Sequence, residues 1–180
     1  MAPIIETIAT ATVDLCKGSY LRKANNTDIP GPAIKCDLAE GDTIYNGSSL
    51  ESCRIDTQDG ATVEIKPSSR VKMIANNKCG FDIQVDVGSA SMTRPASPNR
   101  VKLLRSSAVA TAALGSNYTW RQTSGGDNTV TCDAGTRVKL ESETHGWTVD
   151  IPADNHADFR DTDAAAPAPV QNAAATGGDG

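Results

Sequence analysis

The residues with chemistry to offer are few: five cysteines, two histidines, three tyrosines and two tryptophans in 180 residues. A zinc site needs thiolates or imidazoles gathered at short spacing, as in C-x-x-C. Cys16, Cys36, Cys53, Cys79 and Cys132 are too scattered for that. Cys53 and Cys132 occupy apolar-parity positions of expected strands, where a thiol behaves as a small hydrophobe. Among the rest, a disulfide between Cys16 and Cys36 or between Cys36 and Cys79 is open if the compartment is oxidising, and the odd count leaves one thiol over. His145 sits in the turn-like run Glu143-Thr-His-Gly-Trp147 and reads as a surface residue. The run Asp154, His156, Asp158, Asp161 and Asp163 lacks the glycine and bidentate glutamate of a calcium loop and reads as a solvated acidic segment. Tyr118, Trp120 and Trp147 are the candidate ligand-facing aromatics. They would stack on sugar rings if they faced solvent and would serve as core if they did not. No nucleophile elbow, phosphate loop or dinucleotide fingerprint occurs. The expectation is a protein that is not an enzyme, with no catalytic residues, no metal and no cofactor.

Composition narrows the partners. The formal net charge is −5 and the sequence pI about 5.0, with no cluster of Lys and Arg, which disfavours nucleic acid. No apolar run approaches the roughly 20 residues of a transmembrane helix. The first 12 residues lack a basic region and carry Glu6, so no signal peptide is expected.

The elements that must position these residues read as strands. Phe81, Ile83, Val85 and Val87 alternate with polar residues, as do Ala61, Val63 and Ile65, then Val71 and Met73. Val130 with Cys132, Val138 with Leu140, and Trp147 with Val149 and Ile151 continue the pattern. Turn residues break these runs every 8–12 positions or so, the spacing of an all-β protein. Gly41, Gly47, Gly60 and Gly135 fall where strands reverse and a positive φ is expected. Asp42 and Asp59 beside them are suited to bonding nearby backbone. Aromatics make up only 4% of the chain, so the core must come from small β-branched side chains, which suits a thin, strand-rich structure. Ser106 to Leu114 is the one segment whose composition would tolerate a helix, but its strand-like flanks favour a buried small-residue strand. Lys66-Pro-Ser-Ser-Arg-Val-Lys72 and Leu104-Arg-Ser-Ser-Ala-Val-Ala110 share a Ser-Ser-x-Val core, a faint sign of successive solenoid coils. Residues 152–180 are rich in Ala, Pro, Asp and Gly and are expected to form a disordered tail to a domain spanning 1–151.

The order of these motifs resembles the FecR domain. Gly41-Asp42-Thr43-Ile44-Tyr45-Asn46-Gly47, Asp59-Gly60, and Pro67-Ser68-Ser69 match its successive turns. Phe81 to Met92, Leu114-Gly-Ser-Asn-Tyr118 and Val130 to Leu140 match its later elements, so the resemblance runs from about Ala11 to Leu140. Asn46 stands where the family has Thr, and Leu114 where it has Arg. The resemblance implies an all-β, elongated, solenoid-like or twisted two-sheet domain, periplasmic or at a cell surface; the expectation is the β module alone, departing from the family in lacking its anti-sigma, transmembrane and receptor-docking segments. It implies a non-catalytic module that binds a protein partner through strand edges and loops. The alternatives are a self-associating structural protein of a cell surface or virus particle and, more weakly, a carbohydrate binder.

Overall fold

In the computed structural model the described residues are 11–57, 60–76, 80–93, 103–105, 108–112, 116–123 and 126–172. They form β1 (Ala11–Leu15), β2 (Ser19–Arg22), β3 (Asp28–Pro30), β4 (Ala33–Leu38), β5 (Thr43–Asn46), β6 (Cys53–Thr57), β7 (Thr62–Ile65) and β8 (Ser69–Asn76). These are followed by β9 (Gly80–Thr93), β10 (Leu103–Arg105), β11 (Ala108–Ala112), β12 (Asn117–Gln122) and β13 (Asp127–Ala134). The last are β14 (Arg137–Ser142), β15 (Thr148–Pro152), β16 (Asn155–Arg160) and β17 (Val170–Gln171). No helix occurs among the described residues, and so none long and apolar enough to cross a membrane.

The strands make two ladders joined through β9. In sheet A the order is β4-β1-β6-β7-β9-β12-β13-β16-β17. In sheet B it is β3-β2-β5-β8-β9-β10-β11-β14-β15. The first half of β9 lies in sheet B and the second half, from Gly88, in sheet A. Among these pairings only β9–β10 is parallel. The expected all-β architecture is present as an open, two-sheet arrangement with antiparallel neighbours, rather than as a stack of parallel solenoid coils.

Alternation sorts each strand into an inward apolar row and an outward polar row. Val13, Ile55, Val63, Met92 and Val130 from sheet A meet Leu21, Ile44, Met73, Ile83 and Leu140 from sheet B in one continuous core. Val87 breaks the expected pattern. A bulge pairs Arg70 with Val87 and Val71 with Val85, so Val87 leaves the parity of Ile83 and Val85 and is 38% exposed. The side chain of Phe81 lies outside the described residues, as do Asp59, Cys79 and the ends of the Ser106–Leu114 segment, whose middle is β11.

The crossing from one sheet to the other is made by a serine pressed beneath a left-handed glycine. At Gly88 (φ 87°) a Cβ would fall 2.7 Å from the Ser69 Cα, and the Ser69 hydroxyl accepts the Ser89 N–H at 2.8 Å. At Gly135 (φ 98°) a Cβ would fall 2.5 Å from the Ser116 Cα, and the Ser116 hydroxyl accepts the Thr136 N–H at 2.9 Å. In both cases donor and acceptor residues are 20 apart. The two hairpins correspond residue for residue. Val71↔Val85 and Met73↔Ile83 in sheet B match Tyr118↔Cys132 and Trp120↔Val130 in sheet A, and the Arg70↔Val87 bulge matches Asn117↔Ala134. An internal repeat therefore exists, but it relates Ser69 to Ser116. The Ser-Ser-x-Val similarity has the wrong register for it.

The C-terminal segment corrects the expected domain limit at residue 151. β16 adds to β13, placing Ala157 and Phe159 in the core, with Phe159 4% exposed. The ring of Phe159 meets Trp120 and Trp147 edge-on, each at 5.8 Å between centroids. Ala-Asp-Phe alternates like any edge strand, and burying one phenyl contributes about 1.5–3 kcal/mol, enough to hold a short strand on an existing sheet. The chain then returns along β16, where β17 pairs with it and the Asn172 N–H donates to the Asp154 carbonyl at 2.7 Å.

Substituting Gly88→Ala or Gly135→Ala will each cost about 3 kcal/mol or more, from overpacking added to the left-handed penalty. Gly126→Ala, at φ 85° with nothing within 4 Å, will cost only about 1–2 kcal/mol. Urea unfolding of the three variants checks the order.

Candidate functional site

The sequence-selected turn residues take structural positions. Asp42 is 1% exposed; its carboxylate accepts the Ala24 and Ala39 N–H groups at 3.0 and 2.9 Å and the Lys23 ammonium at 2.5 Å. It ties the β2–β3 loop to the β4–β5 corner. Gly41 and Gly60 adopt φ of 87° and Gly135 of 98°. Gly47 does not have the expected positive φ. A side chain is excluded there by crowding, since a Cβ would lie 2.9 Å from the Gly18 carbonyl. Asn46, in the position where the FecR pattern has Thr, is 2% exposed and donates from its amide to the carbonyls of Glu51, Ile65 and Lys66 at 2.9–3.1 Å.

The candidate ligand-facing aromatics are core residues, which removes the basis for sugar stacking. Tyr118 and Trp120 are fully buried and Trp147 is 8% exposed. The Tyr118 hydroxyl accepts the Leu103 N–H and donates to the Ala110 carbonyl, both at 3.1 Å, bridging β10 and β11. The indole N–H groups of Trp120 and Trp147 donate to Asn128 Oδ1 at 3.2 Å and to the Asp163 carbonyl at 3.0 Å. Inward parity on β12 accounts for the burial of Tyr118 and Trp120, Phe159 packs against Trp147 just before β15, and the polar tips of all three are satisfied. The acidic run is likewise used internally. The Thr129 hydroxyl donates to Asp158 at 2.6 Å, the Asn128 amide to Asp161 at 2.9 Å, and the Arg160 N–H to Asp163 at 2.7 Å. Among the described residues no group of His, Cys, Asp and Glu has the arrangement of a metal site.

A different set of side chains forms a face. Register across sheet B places Pro30, Tyr20, Tyr45, Arg70 and Val87 in one row over five neighbouring strands. Tyr20 and Tyr45 are directly opposite one another, and their rings stack at 4.6 Å with 10° between planes. Arg22, two residues along β2 on the same side, holds its guanidinium carbon 5.5 Å from both ring centroids, and Arg70 approaches Tyr45 at 5.9 Å. Each exposed cation–π contact is worth about 0.5–1 kcal/mol. Arg22 also pairs with Asp28 through two hydrogen bonds, at 2.9 and 3.1 Å, a fork-to-fork contact that fixes the guanidinium plane over the rings. Beside this row, Gly18, Asn46, Gly47 and Ser68 complete a shallow hollow of about 320 Å³.

The outer face of sheet A is unlike this one. There Ser91, Thr119 and Asp133 are hydrogen-bonded in series at 2.8 and 2.7 Å, so its polar groups answer one another. The sequence reading passed over Tyr20, Tyr45, Arg22 and Arg70. The available signal was parity: Leu21 and Ile44 point inward, which turns Tyr20 and Tyr45 outward.

No family model matches the chain, and no curated protein matches it. Among solved structures, two crystal structures of a candidate anti-sigma factor from Parabacteroides distasonis are similar in fold, each with a TM-score of 0.55. The identities are 10% and 11%, over 72% and 71% of this chain. The chain spans 59% and 58% of those proteins, less than two thirds of their length. At such identity the likeness shows the fold alone, an all-β arrangement that these proteins share.

The Arg22 guanidinium holds the Asp28 carboxyl below its ordinary range, through its hydrogen bonds first and its charge second. A lowered folded-state value means that the pair orders the face above the unfolded-state pKa and lets go as pH falls through the folded one. Both side chains are well exposed, so the effect is on local order and not on global stability. In a carboxyl-carbon NMR titration Asp28 will ionise below the usual value of about 3.9, and Arg22→Gln will return it there.

Proposed function

We propose that this chain is a FecR-type, non-catalytic protein-interaction module that docks its partner on the outer face of sheet B. One observation carries the reading: the row of Tyr20, Tyr45, Arg70 and Val87, with Arg22 over the rings, leaves stacked aromatics and arginines at the surface of a chain poor in aromatics. Tyrosine and arginine dominate the energetic centres of protein interfaces, because each offers a large rigid contact with a polar tip. The hollow beside Tyr45 is lined mainly by apolar surface and suits an apolar side chain; Arg70 pairs with Asp86 at 3.4 Å but stays 46% exposed, which leaves its guanidinium edge open to a second carboxylate. The partner is accordingly a protein segment carrying an acidic residue beside an apolar one. The likeness in fold to a candidate anti-sigma factor agrees with a part in signalling.

Strand edges, expected from the sequence to make the contact, are poorly suited to it. β3 is three residues long and ends in Pro30, and β17 is two. β4 is interrupted by Lys35 at φ 51°, and β15 ends in Pro152. Each is a blunted edge of the kind that resists added strands.

A photo-crosslinking residue placed at Tyr45, with Thr119 on sheet A as control, tests the reading in cells that make the protein. Crosslinks to one other protein from position 45 alone are expected. With that protein purified, Tyr45→Ala and Arg70→Ala will each weaken binding tenfold or more, about 1.4 kcal/mol, while Arg137→Ala will not. Crosslinks mainly to a second copy of this chain would replace this reading with the self-associating one, and equal yield from both faces would remove it.

A further inference from the structure

Beneath the β1–β2 corner two thiols meet. Cys16 follows the last residue of β1 and Cys53 opens β6, its neighbour in sheet A, where Asp14 pairs with Arg54. Their sulfurs are 3.5 Å apart, although the residues are 37 apart in sequence. The sequence offered Cys16–Cys36 and Cys36–Cys79 as pairings and read Cys53 as core filling. In the structure Cys36 and Cys132 have carbonyl oxygens as their sulfur neighbours, at 4.0 and 3.7 Å.

We propose that Cys16 and Cys53 are a redox pair that closes to a reversible intramolecular disulfide. A disulfide needs sulfurs about 2.05 Å apart on residues whose Cβ atoms approach within ~4.5 Å. With Cys16 just past the end of β1 and Cys53 at the start of the adjacent β6, the two sulfurs are already 3.5 Å apart, and side-chain rotation is the movement that would close the bond. The two thiols also divide the chemistry. Cys16 is partly exposed and can be met by a small molecule, while Cys53 is fully buried, with the Cys16 sulfur against its own. Burial also pushes the Cys53 thiol upward, which lowers its thiolate fraction.

The oxidant is a small-molecule disulfide such as oxidised glutathione. The Cys16 thiolate attacks one of its sulfurs, forming a mixed disulfide and releasing one glutathione thiolate. The Cys53 thiolate then attacks the Cys16 sulfur, the Cys16–glutathione bond breaks, and the second glutathione leaves. Two protein thiols are oxidised, one glutathione disulfide is reduced to two thiols, and the two protons of Cys16 and Cys53 end on them. The product staples the end of β1 to the start of β6 and restricts the unfolded chain.

The test treats the full-length protein with oxidised glutathione, blocks remaining thiols with N-ethylmaleimide and maps the unreduced digest by mass spectrometry. The expected product is a monomer whose Cys16 and Cys53 peptides are joined, reversed by dithiothreitol, with a melting temperature raised by about 5–15 °C. Cys53→Ser will stop the reaction at a glutathione adduct on Cys16. Should that variant not fold, Cys16→Ser serves, and its Cys53 will stay a free thiol under the same treatment. In the wild-type protein, a Cys16 that remains free, keeps its glutathione or joins any other cysteine of the same or another chain overturns the proposal.

Discussion

Everything in this fold follows from the close approach of a serine to a glycine that has no Cβ. Ser69 under Gly88 and Ser116 under Gly135 let the chain leave one sheet and enter the other within one or two residues. The serine hydroxyl then takes the N–H that the crossing would otherwise leave unpaired, at Ser89 and Thr136. A buried unpaired amide costs about 1–3 kcal/mol, and a Cβ at either glycine would force the serine backbone away. The crossing therefore needs both residues, and each is present twice at the same spacing.

The bulges at Arg70 and Asn117 are part of the same device. Each inserts one residue of parity next to the corner, so that Val87 and Ala134 turn outward while Val85 and Cys132 stay in the core. On sheet A the result is a polar surface that satisfies itself through Ser91, Thr119 and Asp133. On sheet B the same geometry brings Val87 into line with Arg70, Tyr45 and Tyr20. The candidate docking face is thus a consequence of how the corner is built, and the repeat supplies its own contrast, since the matching face of sheet A has no such row.

What the sequence made legible was whatever alternation and turn chemistry encode locally. Val63 with Ile65, Val130 with Cys132, and Val138 with Leu140 read correctly as inward pairs. Four kinds of information were not local. The ring that packs edge-on against Trp120 is Phe159, which arrives from a segment whose Ala and Pro content suggested disorder. Val87 lost its parity to a bulge whose partner residue is on another strand. The repeat was hidden because its conserved part is a contact, Ser to Gly, and not a run of similar residues. The likeness seen between Ser-Ser-x-Val segments was compositional. The Cys16–Cys53 contact depends on strand order, which spacing does not reveal.

The most direct measurement of the corner account is amide hydrogen exchange at Ser89 and Thr136, read by NMR. If the two serine hydroxyls hold these amides, both will exchange as slowly as mid-strand amides such as those of Val85 and Val130. Ser69→Ala will then release Ser89 and leave Thr136 protected, and Ser116→Ala will release Thr136, with Arg137 beside it, and leave Ser89 protected. Exchange at the rate of exposed turns in the unmodified protein would contradict the account, because the crossing between sheets would then be held by something other than the serine beneath the glycine.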